Sequence, residues 1–145
     1  MDWLPIVAVV VVGLMVGVEL SVAFVVNPIV DRLPGNAGLL ARSDGARMLG
    51  RAMPVWYVGS LLLTAATALA RPDAATGAWV AATLLAVSVI MSVALLVPIN
   101  SRSKAWTPAT APPDWREQVG RWDRFHVVRV AMIVAAFIVL TAAVG

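Results

Sequence analysis

Residues 78–99 read AWVAATLLAVSVIMSVALLVPI, an apolar segment within the longest stretch of the chain without a charged side chain. The length of this segment matches the roughly 20 residues that a helix needs to cross the hydrocarbon of a bilayer. Three more apolar stretches, at about residues 3–26, 53–70 and 124–144, have similar lengths. The sequence therefore predicts an all-α fold, an integral membrane four-helix bundle.

Composition supports this class. The chain has 145 residues, of which 61% are hydrophobic and 13% charged, with a mean hydropathy of +0.88. Such values lie outside the range of soluble globular domains. We therefore expect residues 1–145 to form one transmembrane domain, with the lipid bilayer as its partner. No basic patch stands apart from the membrane flanks, which argues against nucleic acid, and the absence of cysteine excludes thiolate chemistry.

The basic residues predict the topology. The second connection holds only Arg71, whereas the first and third hold nearly all the other Lys and Arg residues: Arg32, Arg42, Arg47, Arg51, Arg102, Lys104, Arg116, Arg121 and Arg124. The positive-inside rule then predicts two long cytoplasmic loops, with the N- and C-termini outside. We expect a multi-pass protein of the cytoplasmic membrane of a bacterium.

Both long loops carry signals for short amphipathic helices. Ser43-Asp44 precedes residues 46–52, which predicts a helix that leads into the second span. In the third loop, Asp114 follows two prolines and precedes Glu117 at the spacing of a capping box. An interfacial helix is expected to begin there and to run into the fourth span.

Glu19 is an ionisable residue well inside the first span, about 12 Å from Asn27 at the rise of an α-helix. A charge at that depth needs a partner or a purpose. Arg129 enters the fourth span to a similar depth and is the predicted counter-ion. The pair either fixes the register of the helices or lines a polar cavity. Ala23 lies between Glu19 and Asn27 on the same face, which leaves room beside the stripe.

His126 shares a helix face with Trp122 and Arg129. It is either an interfacial anchor or a general base, because only histidine exchanges protons near neutral pH without a large pKa shift. Asn100 ends the predicted third span and is either a C-cap or an amide donor for a developing oxyanion. The predicted catalytic residues are therefore His126, Asn100, Arg129 and Glu19.

Most tryptophans fit an aromatic belt at the membrane interfaces. Trp56 and Trp122 are the two that we interpret as walls for a flat aromatic ligand, and Asn27 and Met53 complete the predicted substrate-binding set. A bound metal ion is a weaker hypothesis. His126 and Glu19 are the available ligands, but the sequence lacks the paired ligand motifs of di-metal helix bundles. Gly13 and Gly17 form a GxxxG match suited to close helix packing.

Three motifs lie at the ends of the third and fourth spans and in the loop between them: residues 97–100, VPIN, then Trp106 with Trp115-Arg116, and residues 121–129, RWDRFHVVR. In these motifs the sequence resembles the DUF1772 family of small four-span membrane proteins, which includes the anthrone oxygenases of polyketide pathways. Asn27-Pro28 at the end of the first span and the long helical first loop also match the family layout.

This resemblance implies oxidation of an anthrone-like aromatic polyketide to a quinone by molecular oxygen, with no cofactor. In that scheme His126 is the base, Asn100 and Arg129 stabilise the oxyanion, and Glu19 sets the charge state of Arg129 or relays the proton. The alternatives are a metal-dependent membrane oxygenase that uses His126 and Glu19, and a non-catalytic scaffold or accessory subunit. A homo-oligomer is compatible with each of them.

Overall fold

Four long helices form the protein in a computed structural model that describes residues 3–145. They are α1 (Trp3–Val30), α2 (Ala37–Ala70), α3 (Ala75–Ser103) and α4 (Trp115–Val144). All four are long and apolar enough to cross a membrane, and no strand occurs in the described part of the chain. The predicted all-α, multi-pass membrane fold is confirmed. Met1 and Asp2 of the predicted domain lie outside the described residues.

The helices pack in a ring in chain order, with α1 against α2, α2 against α3, α3 against α4, and α4 against α1. This is an up-down-up-down bundle. One end, here called the loop end, holds the α1–α2 connection at residues 31–36 and the α3–α4 connection at residues 104–114. The other end holds both ends of the described chain and the short α2–α3 turn. Which end faces the cytoplasm stays a prediction.

The helices are longer than the predicted spans. They have 28, 34, 29 and 30 residues, so α2 is about 51 Å long, whereas the hydrocarbon is about 30 Å thick. The predicted loop helix at residues 46–52 is part of α2, which begins at Ala37. Ser43 does not cap it, because the Ser43 hydroxyl donates to the carbonyl of Lys104 in the third connection. Asp114 does precede α4, but its carboxylate accepts a hydrogen bond from the Gln118 side chain instead of capping the backbone.

The interior divides into two halves. The half away from the loop end is apolar and contains many small side chains, with buried residues that include Ala8, Val12, Ala78, Ala81, Ile133, Ala136 and Leu140. The half toward the loop end buries Glu19, His126 and Arg129. Charged groups are expensive in a membrane unless they are paired or line a cavity. The polar half is therefore where function is expected.

Both α1 and α3 contain a turn of π-helix, at Val22–Val26 and Ser92–Leu96. In each turn, the residue before a proline donates its N–H to the carbonyl five residues back: Asn27 to Val22, and Val97 to Ser92. A proline ring inside an α-helix clashes with the carbonyl four residues earlier. The wider turn accommodates Pro28 and Pro98, and such turns often occur at functional sites.

An ion-pair network closes the loop end. The Arg42 guanidinium donates to both carboxylate oxygens of Asp31, at 3.0 and 2.8 Å, and to both of Asp123, at 2.8 and 2.7 Å. Asn27 also donates to Asp123, at 3.0 Å. This network ties α2 to the end of α1 and to the first turns of α4. It therefore fixes the part of α4 that carries Trp122 and His126.

Candidate functional site

The site is built around a buried ion pair. Arg129 Nη2 donates to both carboxylate oxygens of Glu19, at 3.1 and 2.9 Å. Glu19 is 2% exposed and Arg129 8% exposed. The predicted pairing of these two residues is confirmed. Both charges are held out of water, so each needs the other as its counter-ion.

His126 completes this cluster, and its contacts determine its tautomer. Arginine can only donate, so the 3.0 Å contact from Arg129 Nη2 makes His126 Nδ1 an acceptor. The other nitrogen, Nε2, lies 3.3 Å from the backbone carbonyl of Glu19 and donates to it. The imidazole is then neutral. Nδ1 also lies 3.1 Å from Glu19 Oε2, so a proton on Nδ1 would be donated to that carboxylate.

Three other side chains hold the cluster in place. Arg129 Nη1 donates to the Ser92 hydroxyl at 3.1 Å, and Ser92 begins the π turn of α3. The Arg129 guanidinium carbon lies 5.1 Å from the centre of the Tyr57 ring. The Trp122 ring stacks on His126 at 4.6 Å, as expected for residues four apart on one helix face. All four helices thus contribute to the site.

A central cavity of about 640 Å³ adjoins the ion pair. Its volume lies within the range of small-molecule sites. It extends along α2 and α3 toward the loop end. The lining residues are Glu19, Ala46, Arg47, Leu49, Gly50, Arg51, Met53, Pro54, Tyr57, Val58, Val89, Ser92, Val93, Leu96, Val97, Asn100, Ser101, Lys104, Ala105, Trp122 and Arg129.

The cavity opens sideways. Val58, Val93 and Val97 line it and are also about half exposed or more. They belong to α2 and α3 and lie within apolar spans, so the opening between these two helices faces the region that lipid would occupy. A smaller pocket of about 80 Å³ lies beside the cavity and shares with it Ala46, Leu49, Asn100 and Trp122.

Five predicted site residues line the cavity: Glu19, Met53, Asn100, Trp122 and Arg129. Asn100 is not a C-cap, because α3 continues to Ser103. Its side-chain amide donates to the carbonyl of Ala46 at 3.1 Å and so joins α3 to α2. The structure thus brings Glu19 and Asn100 to one cavity, with His126 in contact with Glu19.

Three predicted site residues are not part of the cavity lining. The His126 ring is 1% exposed and lies behind Glu19. The Trp56 indole donates to the carbonyl of Val11 at 2.9 Å and packs against the apolar half. Asn27 lines the smaller pocket and binds Asp123. Their predicted functional roles stay predictions. Each of these side chains would have to move to contact a ligand in the cavity.

Sequence reasoning missed Tyr57 and Ser92. Tyr57 is the only tyrosine of the chain, is 4% exposed, and has its buried hydroxyl beside the Glu19 carboxylate. A signal was present, because Met53, Tyr57 and Ser60 recur at helical spacing and mark one face of α2. Ser92 gave no such signal, since serine is common in membrane helices.

The cluster is a poor match to a metal centre. No group of three His, Cys, Asp or Glu side chains suited to a metal ion occurs within residues 3–145. The lone pairs of Glu19 and His126 that face each other already accept hydrogen bonds from Arg129. A metal ion between them would have to displace a buried guanidinium of the same charge sign.

The match to a known family covers most of this site. The model of the anthrone oxygenase family matches residues 45–139, about two thirds of the chain, and includes Tyr57, Asn100, Trp122, His126 and Arg129. No curated protein and no solved structure matches the chain. A four-span bundle with a ligand-sized cavity fits the resemblance seen in the sequence. The chain belongs to the anthrone oxygenase family.

Proposed function

We propose that this protein oxidises an anthrone-like aromatic ketone to the corresponding quinone with molecular oxygen, in the central cavity. Family membership supports an oxygenase. The observation that carries the proposal is the buried Glu19–Arg129 pair at the wall of an otherwise mostly apolar cavity of about 640 Å³. Proton-accepting and oxyanion-stabilising groups at one end of an apolar space suit a flat ketone that ionises on binding.

The chemistry needs a base and an oxyanion site. An anthrone methylene proton is acidic because its loss gives an aromatic phenolate. The electron-rich anion reduces O₂, and a carbon–oxygen bond forms at the former methylene carbon to give a hydroperoxide. Loss of the second proton from that carbon cleaves the O–O bond, and hydroxide leaves as water. One anthrone and one O₂ thus give one quinone and one water, and the reaction needs no further oxidant.

The side chains at the cavity supply the proton acceptors and the oxyanion donors of this scheme. Glu19, which lines the cavity, accepts the first proton. His126 Nδ1, 3.1 Å from Glu19, accepts that proton from Glu19 once Arg129 Nη2 turns from Nδ1 toward the developing oxyanion. His126, the base predicted from the sequence, is then the second proton acceptor. Arg129 and Asn100 donate to the developing oxyanion from the cavity wall. The apolar lining excludes water, which strengthens these electrostatic interactions.

Access to the cavity fits an apolar substrate. The opening between α2 and α3 lies beside Val58, Val93 and Val97, within apolar spans. A membrane-dissolved aromatic ketone reaches this opening without crossing water. Oxygen is also more soluble in hydrocarbon than in water, so both reactants arrive from the same phase.

Oxygen uptake and quinone absorbance with the purified, detergent-solubilised protein test this function. The parent protein should accelerate both above the spontaneous rate of the anthrone. Glu19→Gln should abolish most of the acceleration, because it removes the proton acceptor and general base catalysis contributes about 10²–10⁴-fold. His126→Gln should also reduce it.

A matched control is Gly17→Ala, which also lies in α1 and adds a methyl group where no atom lies within 4 Å. It should keep parental activity. Turnover that disappears with a chelator and returns with a metal would favour the metal-dependent alternative instead. No acceleration by the parent protein, with a family-typical anthrone as substrate, would contradict the proposal and favour the scaffold role.

A further inference from the structure

The central cavity also reaches the surface at the loop end of the bundle, and this second opening is here called the mouth. Arg47, Arg51 and Lys104 line the cavity there, so the mouth is positively charged. Arg47 pairs with Asp44 and donates to the carbonyl of Lys104 at 3.0 Å. Arg51 and Lys104 are exposed, and neither has an acidic partner within residues 3–145. Two uncompensated cations from different elements therefore face one opening.

The two cations lie toward one end of the cavity and the ion pair toward the other. Along α2, Arg51 precedes Tyr57, which contacts Arg129, by six residues, a rise of about 9 Å. Along α3, Ser92, which also contacts Arg129, precedes Lys104 by twelve residues. Between the ends the wall is mostly apolar, with Leu49, Met53 and Leu96. The cavity is thus elongated, with a proton-accepting end, an apolar middle and a cationic mouth.

We infer that the ligand of this cavity is an acidic aromatic ketone, with a carboxylate that pairs with Arg51 and Lys104 at the mouth. Its ketone ring system occupies the apolar middle, next to Glu19 and Arg129. This inference rests on the proposed function, because it names the substrate class of the same site. A ligand in that orientation satisfies both charged ends, whereas a neutral anthrone leaves the mouth without a partner.

Such a carboxylate also fixes which carbon reacts. A flat tricyclic ketone can enter the cavity in two directions, and only one direction brings the methylene carbon near Glu19. An anionic group held at the mouth selects one of them. The cations therefore position the substrate without touching the reacting atoms, and their removal raises KM more than it lowers kcat.

The test measures binding of unreactive quinones, so it does not depend on turnover. The protein is placed in zwitterionic phosphatidylcholine nanodiscs, and affinities are compared for anthraquinone-2-carboxylate and its neutral carboxamide. The parent should bind the carboxylate more tightly. Arg51→Gln and Lys104→Gln should each weaken that binding about three- to fivefold, the effect of one exposed ion pair, and leave the carboxamide unchanged. Added salt should weaken only carboxylate binding.

Arg124→Gln is the control, because it removes one exposed charge near the same end of the bundle but outside the cavity lining. It should not change either affinity. Equal affinity of the parent for both quinones would overturn the inference, as would an equal loss in Arg124→Gln. If the parent loses its preference for the carboxylate over the carboxamide in nanodiscs that contain phosphatidylglycerol, the cations bind lipid phosphate. That result would also overturn the inference. Binding preference without turnover would instead count against the proposed function alone.

Discussion

At the scale of single residues, the site depends on one buried guanidinium. Arg129 donates to Glu19, His126 and Ser92, so its loss leaves a carboxylate without a counter-ion. Removal of one partner of a buried pair costs about 3–5 kcal/mol, whereas removal of both is much less costly. The two charges should therefore be strongly coupled in stability.

A double-mutant cycle tests this coupling. Arg129→Met should lower the free energy of unfolding by about 3 kcal/mol or more, and the double variant Glu19→Gln/Arg129→Met should be more stable than Arg129→Met alone. Thermal unfolding in detergent measures all four proteins. Additive effects of the two substitutions would show that the pair does not interact as described.

Gly50 controls the position of the Asn100 amide. A methyl group at Gly50 would lie 2.8 Å from Asn100 Nδ2, so Gly50→Ala must displace that amide and break its hydrogen bond to Ala46. The expected cost is about 1 kcal/mol of stability together with reduced turnover. In the Asn100→Ala background the same substitution should have little further effect. Full activity of Gly50→Ala would show that Asn100 does not stabilise the proposed oxyanion.

The sequence predicted the depth and pairing of Glu19 and Arg129, because the cost of charge in hydrocarbon leaves few other solutions. It also predicted the shared face of Trp122, His126 and Arg129 from helical spacing. The choice of Trp56 as a cavity residue depended on helix rotation. Neighbouring positions on a helix differ by about 100°, and the aromatic residue that α2 contributes to the cavity is Tyr57.

At the scale of helices, the π turns of α1 and α3 were beyond sequence reasoning, although each comes just before a proline. The first and third spans were predicted to end at Val26 and Ile99, next to Pro28 and Pro98. A π turn instead accommodates each proline, and both helices continue, α3 as far as Ser103. Since Ser92 begins the second π turn and contacts Arg129, this backbone irregularity is part of the site.

Pro98→Ala tests the role of the second π turn. Alanine restores an N–H and removes the ring, so regular α-helix becomes more favourable at residues 92–96. The change in register should move Ser92 away from Arg129 and lower turnover by about one to two orders of magnitude. Helix content by circular dichroism should stay constant. Parental turnover in this variant would show that the π turn does not position the site.

At the scale of the whole molecule, the bundle separates a closely packed half from a half that holds the cavity. The apolar half packs small side chains closely, while the half toward the loop end holds the cavity, the ion pair and the Asp31–Arg42–Asp123 network. Composition and span count predicted the four-helix bundle. The network was not predicted, because its partners are distant in sequence and none of them lies within a predicted membrane span.

Arg42→Met should destabilise the loop end. It removes the donor to both oxygens of Asp123, next to Trp122, and leaves that carboxylate with Asn27 alone. We expect a loss of about 2–4 kcal/mol in the free energy of unfolding and reduced turnover. Arg32→Met is the matched control, because the exposed Arg32 makes one hydrogen bond, to the carbonyl of Pro28. Equal stability of the two variants would contradict the role of the network.

The proposed reaction transfers one atom of O₂ to an anthrone in this cavity. It is tested by a single-turnover reaction of the purified protein with an acidic anthrone under oxygen-18 gas, followed by mass spectrometry of the quinone. We predict one oxygen-18 atom in each quinone, and faster quinone formation with the parent protein than without protein. With Glu19→Gln, most of this acceleration should be lost. A quinone that takes its new oxygen from water, or that forms at the same rate with the parent and with Glu19→Gln, would contradict the proposed reaction.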